Sequence, residues 1–441
     1  MNIKVDNEKI RHVLTEIYRI FNTKDELEFD SNSKNEITEE KVILDSNEEI
    51  KYNSKLELKQ ILYKYFSKKF KAVSPWGILT GTRPLNLMRL KTGKELKNDY
   101  FVSDDKIEKL QKIIEIQNKH RYEKDNINLY INIPFCPTRC TYCSFPTIIY
   151  KHKDRREEYI NSLISEIDGI GVYLRKRNVR TVYFGGGTPT SLETVQMDRI
   201  FKKLSEYVNL EKLEEFTVEA GREDTLSEEK LRLMKLYKVS RISVNPQSFK
   251  PETLKTIGRK QDNERLVEVF NAAKALGFDI NMDLIVGLSG EDENDVENSL
   301  ERIKELSPEN LTIHTLSIKK GSKLSQMDYS LEKERRNIER ELIKTFEFTD
   351  KNRYFPYYLY RQKEILGNFE NIGYAKEGKE CIYNIVINEE YESVLGLGMT
   401  SNSKIYKNGH LIKYRNPKNI DEYIENIFKI IETKRNILDY V

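Results

Sequence analysis

Three cysteines, Cys136, Cys140 and Cys143, lie close together in the string YINIPFCPTRCTYCSF. A C-x-x-x-C-x-x-C run puts three thiolates on one short loop. Three thiolates can hold three irons of a four-iron, four-sulfur cluster and leave the fourth iron open to a substrate or cofactor. Zinc would want a fourth ligand, usually Cys or His, to close a tetrahedron. The one other cysteine, Cys381, is far along the chain, and His152, the nearest downstream histidine, is not at a zinc-finger spacing. A disulfide framework suits a small secreted domain, not a chain of 441 residues with four cysteines.

Other residues stand where strand-like runs end. FGGGTP (184–189) includes Gly186 and Gly187. Its glycines let a backbone approach a ligand closely, but no Lys-Ser/Thr follows, as a nucleotide P-loop needs. Glu219 ends the third strand candidate in FTVEAG, Gln247 ends the fourth in NPQSF, Asp283 sits within the fifth in NMDLIVGL, and Arg259 follows a short helix in TIGRK. A buried charge must be paired or used. Each of these alone suits a salt bridge; one at each successive strand end points to a site. Tyr130, six residues before Cys136, shares a strand face with Asn132 and Pro134. Pro134 and Pro137 stiffen the lead into the cysteine loop.

Those residues need a scaffold, and residues 128–318 supply one. Apolar, β-branched strand candidates cover 128–135, 179–186, 214–221, 241–248, 280–288 and 310–318. Helical patterns such as 154–176 and 263–277 lie between them. Six strands with crossover helices predict an α/β fold with a parallel sheet. Six units fall short of the eight that close a full barrel, so an open, partial (β/α)6 barrel is expected. Its site belongs at the C-terminal strand ends. The domains expected are an N-terminal α/β module over 1–120, the barrel over 121–325, and a C-terminal α+β extension over 326–441. In the last, IYNIVI (382–387) and SVLGLGMTSNSKIY (393–406) read as strands, which puts Cys381 in a strand as a buried structural thiol. YKNGHLIKY (406–414) reads as a hairpin on its N-G turn, and 417–434 as a final amphipathic helix.

Composition narrows the class. With 74 basic and 71 acidic residues, net charge is +3, without the basic excess of a nucleic-acid binder. KYFSKKFK (64–71) reads as a solvated helix face. No apolar run is long enough to span a bilayer, and MNIKVDNEKI has no apolar signal region. Few cysteines and no disulfide pattern fit a reducing cytoplasm. The 26 tyrosines exceed ordinary expectation; packing is their default role, with a flat-ligand pocket as the alternative.

The cysteine spacing, with Tyr142 just before the last thiol, resembles the radical S-adenosylmethionine (SAM) superfamily. IPFCPTRCTYC, FGGGTPT, ISVNPQSFKPETLKTIGR and NMDLIVGL look more closely like the oxygen-independent coproporphyrinogen III oxidase family. PWGILTGTRP, IHTLSIKKGS and the C-terminal CIYNI…LGLG segment are similar to its HemZ-like branch (coproporphyrinogen dehydrogenase-like proteins). The resemblance implies a 4Fe-4S cluster on Cys136, Cys140 and Cys143. It implies SAM contacts from Tyr130, Gly186, Gly187, Glu219, Gln247, Arg259 and Asp283. It implies an oxidoreductase acting on a tetrapyrrole in porphyrin and haem biosynthesis, with an electron donor such as flavodoxin or ferredoxin. The reaction implied is oxidative decarboxylation of coproporphyrinogen III propionates to vinyl groups. Arg139, Lys319 and Lys320 are candidate partners for those propionates. Two alternatives stay open: a haem-binding chaperone of the same family, and another radical SAM reaction on a tetrapyrrole. His12, His120, His152, His314 and His410 form no evident haem-ligand motif. The better-known branch has a further cysteine where this chain has Phe145, and often a histidine in place of Asn132. GLGMTSNS (396–403) is also more polar than the small-residue run expected there.

Overall fold

The computed structural model describes residues 1–22, 27–45, 48–81, 83–151, 154–318, 322–326, 331–362, 365–407 and 409–439. The first unit is a five-stranded sheet of β1 (Asn2–Val5), β2 (Glu28–Phe29), β3 (Glu36–Ile37), β4 (Lys41–Ile43) and β5 (Glu49–Lys51), ordered β2-β1-β3-β4-β5. Helices α1 (Glu8–Phe21) and α2 (Lys55–Phe70) belong to the same unit. The Asn7 side chain accepts from the Lys9 and Ile10 N–H groups and starts α1. The buried face of α1, with Ile10, Leu14 and Ile17, shares a core with Leu58, Leu62 and Phe66 of α2. Then α3 (Pro84–Leu90), α4 (Gly93–Tyr100) and α5 (Asp104–Gln117) send Leu85, Leu96, Leu110 and Ile113 into the main core instead.

The barrel begins with β6 (Asn126–Ile133), followed by a short parallel ladder of β7 (Phe135–Cys136) and β8 (Ile148–Ile149). Strands β9 (Asn178–Gly186), β10 (Glu215–Val218), β11 (Arg241–Ser243), β12 (Asp279–Val286) and β13 (Asn310–Thr315) then pair in parallel in that order. The helices between them are α6 (Arg156–Arg175), α7 (Thr194–Ser205), α8 (Glu228–Leu236), α9 (Pro251–Thr256), α10 (Asn263–Ala275) and α11 (Glu293–Leu306). β6 is covered on both faces although its sequence alternates, with Ile127, Leu129, Ile131 and Ile133 on one face and Asn126, Asn128, Tyr130 and Asn132 on the other.

After α12 (Leu331–Lys351), the chain returns to the same sheet at both edges. β14 (Phe355–Tyr360) and β15 (Asn371–Ala375) add antiparallel strands beside β13. β16 (Ser393–Leu397) pairs in parallel with β6, and β17 (Asn402–Lys407) and β18 (His410–Arg415) follow it as an antiparallel hairpin. The result is one sheet, ordered β14-β15-β13-β12-β11-β10-β9-β6-β16-β17-β18. It runs without a break across residue 326. The expected six parallel strands are therefore joined by a seventh, β16.

One element differs outright. Residues expected as a strand form a helix, α13 (Ile382–Glu389). Cys381 is its N-cap, and it is buried as expected. The β-branched residues of IYNIVI favour a strand intrinsically, but burial against the sheet interior decides the outcome. Glu215, at the start of β10, accepts from the Ile382 N–H at 2.9 Å and the Tyr383 N–H at 3.4 Å, satisfying donors a helix start leaves free. The final helix is also divided, into α14 (Ile420–Glu425) and α15 (Ile427–Asp439), at Asn426. Asn408 of the hairpin turn lies outside the described residues. Among the described residues, no helix is long and apolar enough to cross a membrane.

Candidate active site

The cysteine loop leaves the C-terminal end of β6 and is held from three sides. The Thr141 N–H donates to Ile257 O at 2.9 Å, and the Leu324 N–H donates to Thr141 O at 3.0 Å. Arg222 Nη1 donates to Thr138 Oγ1 at 3.1 Å, with the guanidinium itself fixed on Asp224. None of the three cysteines is in a disulfide. Cys136 Sγ lies 3.4 Å from Thr188 Oγ1. Burial pushes the Cys136 thiol up to about 11 against that hydrogen bond, and charge on Cys143 and Cys140 adds to the rise. Among the described residues, no three His, Cys, Asp or Glu side chains gather as a single metal ion needs. A four-iron cluster asks for no such shared point, because each thiolate takes a different iron.

The glycine run is zipped against this loop. The Gly187 N–H donates to Ile133 O at 2.9 Å and the Thr188 N–H to Phe135 O at 2.8 Å. A Cβ on Gly187 would stand 2.7 Å from Phe135 O. Gly186 has φ +112°, and a Cβ there would meet Asn132 Oδ1 at 2.0 Å. Only glycine permits both the dihedral and the approach.

Inside the sheet, a polar layer follows. Glu219 accepts from Tyr183 Oη at 2.7 Å and from the Gly186 N–H at 3.1 Å. Burial raises its carboxyl to about 7 in spite of both bonds, and Asp283 adds to the rise. Asp283 accepts from Asn245 Nδ2 at 2.8 Å and Asn281 Nδ2 at 2.7 Å, with His314 Nε2 at 3.5 Å. His314 Nδ1 is in turn 3.2 Å from Tyr360 Oη. Gln247 occupies the left-handed region at φ +63° and pairs with Leu284 of β12; a non-glycine residue held there marks a functional position more often than chance. Arg259 Nη2 is bound by Gly221 O and Asn245 O, so it clamps the ends of β10 and β11. Tyr130 stacks at 6.2 Å on both Tyr183 and Tyr383, and those two rings lie 4.4 Å apart. Asn245 Oδ1 is buried without a hydrogen-bond partner among the described residues.

Glu219, Asp283 and Tyr130 thus face one interior, while Arg259 sits at its rim beside the cysteine loop. Tyr183, Asn245, His314, Tyr360 and Tyr383 were not foreseen as part of it. Tyr183 lies in YFGGG beside the glycines and could have been read from strand alternation; Tyr383 could not, because its helix was read as a strand. Arg139 is exposed, with Nη2 3.4 Å from Cys143 O. Lys319, Lys320 and His152 lie outside the described residues.

The family model of the radical SAM superfamily matches residues 130–303, from β6 into α11. The chain is 39% identical over 388 residues to the oxygen-independent coproporphyrinogen-III oxidase-like protein HemZ of Bacillus subtilis, covering 83% of this chain and 77% of HemZ. It is 25% identical over 313 residues to the heme chaperone HemW of Buchnera aphidicola, covering 71% and 79%. Among solved structures it is similar to the coproporphyrinogen III oxidase HemN of Escherichia coli, with TM-score 0.58 and 22% identity over 72% of each chain. The chain belongs to the radical SAM superfamily and, within it, to the oxygen-independent coproporphyrinogen III oxidase-like family that HemZ represents. Membership implies SAM and a 4Fe-4S cluster as cofactors. The residues present fit both: three cysteines outside any disulfide on a pinned loop, a glycine strand end that a side chain would block, and an unmet buried acceptor at Asn245.

Proposed function

We propose that this protein is a radical SAM oxidoreductase that converts propionate side chains of a tetrapyrrole, coproporphyrinogen III, to vinyl groups. Each propionate gives up a hydrogen atom to a SAM-derived radical, CO₂, and one electron to an external one-electron acceptor. Cys136, Cys140 and Cys143 hold the cluster. Gly186 and Gly187 offer backbone to SAM, with Tyr130, Glu219, Gln247, Asp283 and Arg259 around it. Bound at such a cluster, SAM supplies a carbon radical able to abstract the hydrogen. The protein's part is to orient the reactants and exclude water. Its interior carries carboxylates and amides that accept or donate hydrogen bonds without reorganising. The observation that carries the reading is the 39% identity to HemZ across both the barrel and its flanks.

A second reading, a haem chaperone, is favoured by the similarity to HemW. One anaerobic experiment separates them. Reconstituted, reduced protein is supplied with SAM and coproporphyrinogen III, and deoxyadenosine and tetrapyrrole are followed by mass spectrometry. The expected result is loss of two CO₂ with matching deoxyadenosine. Deoxyadenosine without decarboxylation moves the substrate elsewhere; neither product, with an intact cluster, supports the chaperone. Iron and sulfide content gives a further check. Cys136→Ala, Cys140→Ala and Cys143→Ala lose the cluster, whereas Cys381→Ala keeps it. Full iron content in any of the first three overturns the ligand assignment.

A further inference from the structure

A cavity of about 840 Å³ opens between α2, the turns before α3 and around α5's start, and α12. None of its lining residues comes from β6–β13, so it is separate from the candidate active site. Its volume suits a small molecule. Phe101, Leu342, Phe346 and Phe369 give it apolar walls, and its charged lining is Lys64, Lys68 and Lys106 with the exposed carboxylates Asp105 and Glu339.

Its floor carries an imbalance of charge. Lys106, which lines the cavity, is 3% exposed, and its Nζ lies 2.6 Å from Glu370 Oε1. Lys109, one turn on along α5, has its Nζ 4.0 Å from the same oxygen. The other Glu370 oxygen accepts the Trp76 indole N–H at 2.6 Å. Arg361 adds a buried cation 5.0 Å from the Trp76 ring, its donors spent on Leu79, Asn368 and Phe369 oxygens. Asp105 reaches Lys106 only at 3.7 Å and is largely exposed. One buried carboxylate therefore faces two buried cations, Lys106 and Arg361, and a third, Lys109, whose side chain is 15% exposed. Lys109 makes no hydrogen bond among the described residues; its Nζ rests 3.1 Å from the centre of the Phe346 ring, which lines the cavity. Burial, with Lys106 beside it, lowers the Lys109 ammonium to about 7. Buried cations in excess of anions are costly, and a ligand anion relieves that cost.

We propose that this cavity binds a small amphiphilic carboxylate, its anion against Lys106 and Lys109 and its apolar body along Phe101, Leu342, Phe346 and Phe369. The proposal is independent of the reaction assigned to the barrel. Trp76 is the chain's one tryptophan and is fully buried beside Glu370, so its emission reports on this floor. Octanoate is titrated into the full-length protein and followed by Trp76 fluorescence and by calorimetry. Acetate provides the charge without the body, and 1-octanol the body without the charge. Octanoate is expected to bind saturably at least tenfold more tightly than either. Lys109→Met, and Ile343→Tyr at the half-exposed wall, each weaken it by about tenfold or more while the melting temperature of the second stays near the parent's. No saturable binding by either readout overturns the proposal. So does octanol matching octanoate, or unchanged affinity in both variants.

Discussion

Glu219 shows how a single side chain is set by its surroundings. Its carboxyl is raised from 4.5 to about 7, chiefly by burial. Between those two pH values the folded chain keeps a proton that the unfolded chain has released, so stability falls as pH rises. The cost is absent below the lower value and complete above the upper one. Glu219→Gln removes this dependence. In urea unfolding the variant should match the parent near pH 4 and exceed it by on the order of 2 kcal/mol at pH 8. An equal difference at both pH values would contradict the assignment. Tyr130 and Asp283 lie in the strands expected of them, and Glu219 stands one residue past the end of β10, because strand patterning is local. The sequence did not disclose that His314 stands between Asp283 and Tyr360, since those three come from different strands. Nor does anything in NPQSF announce that Gln247 adopts a left-handed backbone.

At the scale of elements, α13 is the instructive case. It lies inside the sheet, and its start depends on Glu215, which also receives Cys381 Sγ at 3.1 Å and faces Arg241 at 3.6 Å. Glu215→Ala leaves Arg241 with only the more distant Asp279, at 3.8 Å, and frees two backbone donors. It should cost roughly 3–5 kcal/mol in urea unfolding, against at most about 1 kcal/mol for Glu214→Ala beside it, whose side chain is 53% exposed. Similar losses for both would show that Glu215 does not hold α13. The barrel strands were legible because each is a short apolar run bounded by helical patterns. The helix was not, because tertiary burial overrode the preference of Ile382, Ile385, Val386 and Ile387 for strand.

For the whole molecule, the C-terminal segment is bound into the barrel by buried charge. Lys434 of α15 contacts Glu166 of α6, and both are essentially inaccessible. Glu166 also accepts from the Gly398 N–H at 2.7 Å, from Tyr423 at 2.7 Å and from Asn416 at 2.9 Å. Lys434→Met leaves that carboxylate without its cation and should cost about 3 kcal/mol or more by calorimetry or urea. A loss below about 1 kcal/mol would mean the remaining donors suffice. None of this was readable beforehand. Lys434 and Glu166 each look like surface charges on amphipathic helices, and the pairing of β16 with β6 joins segments far apart in the chain.

That pairing bears on how the protein is made. β6, which leads into the cysteine loop, lies between β9 and β16. During synthesis β9 emerges soon after β6, but residues 393–397 emerge only when most of the chain is out of the ribosome. Until then one side of β6 is an unpaired edge, open to solvent and to mispairing. The cysteine loop therefore hangs from an unfinished strand until that segment is made. The late pairing of β16 with β6 thus decides when the cysteine loop gains a fixed anchor.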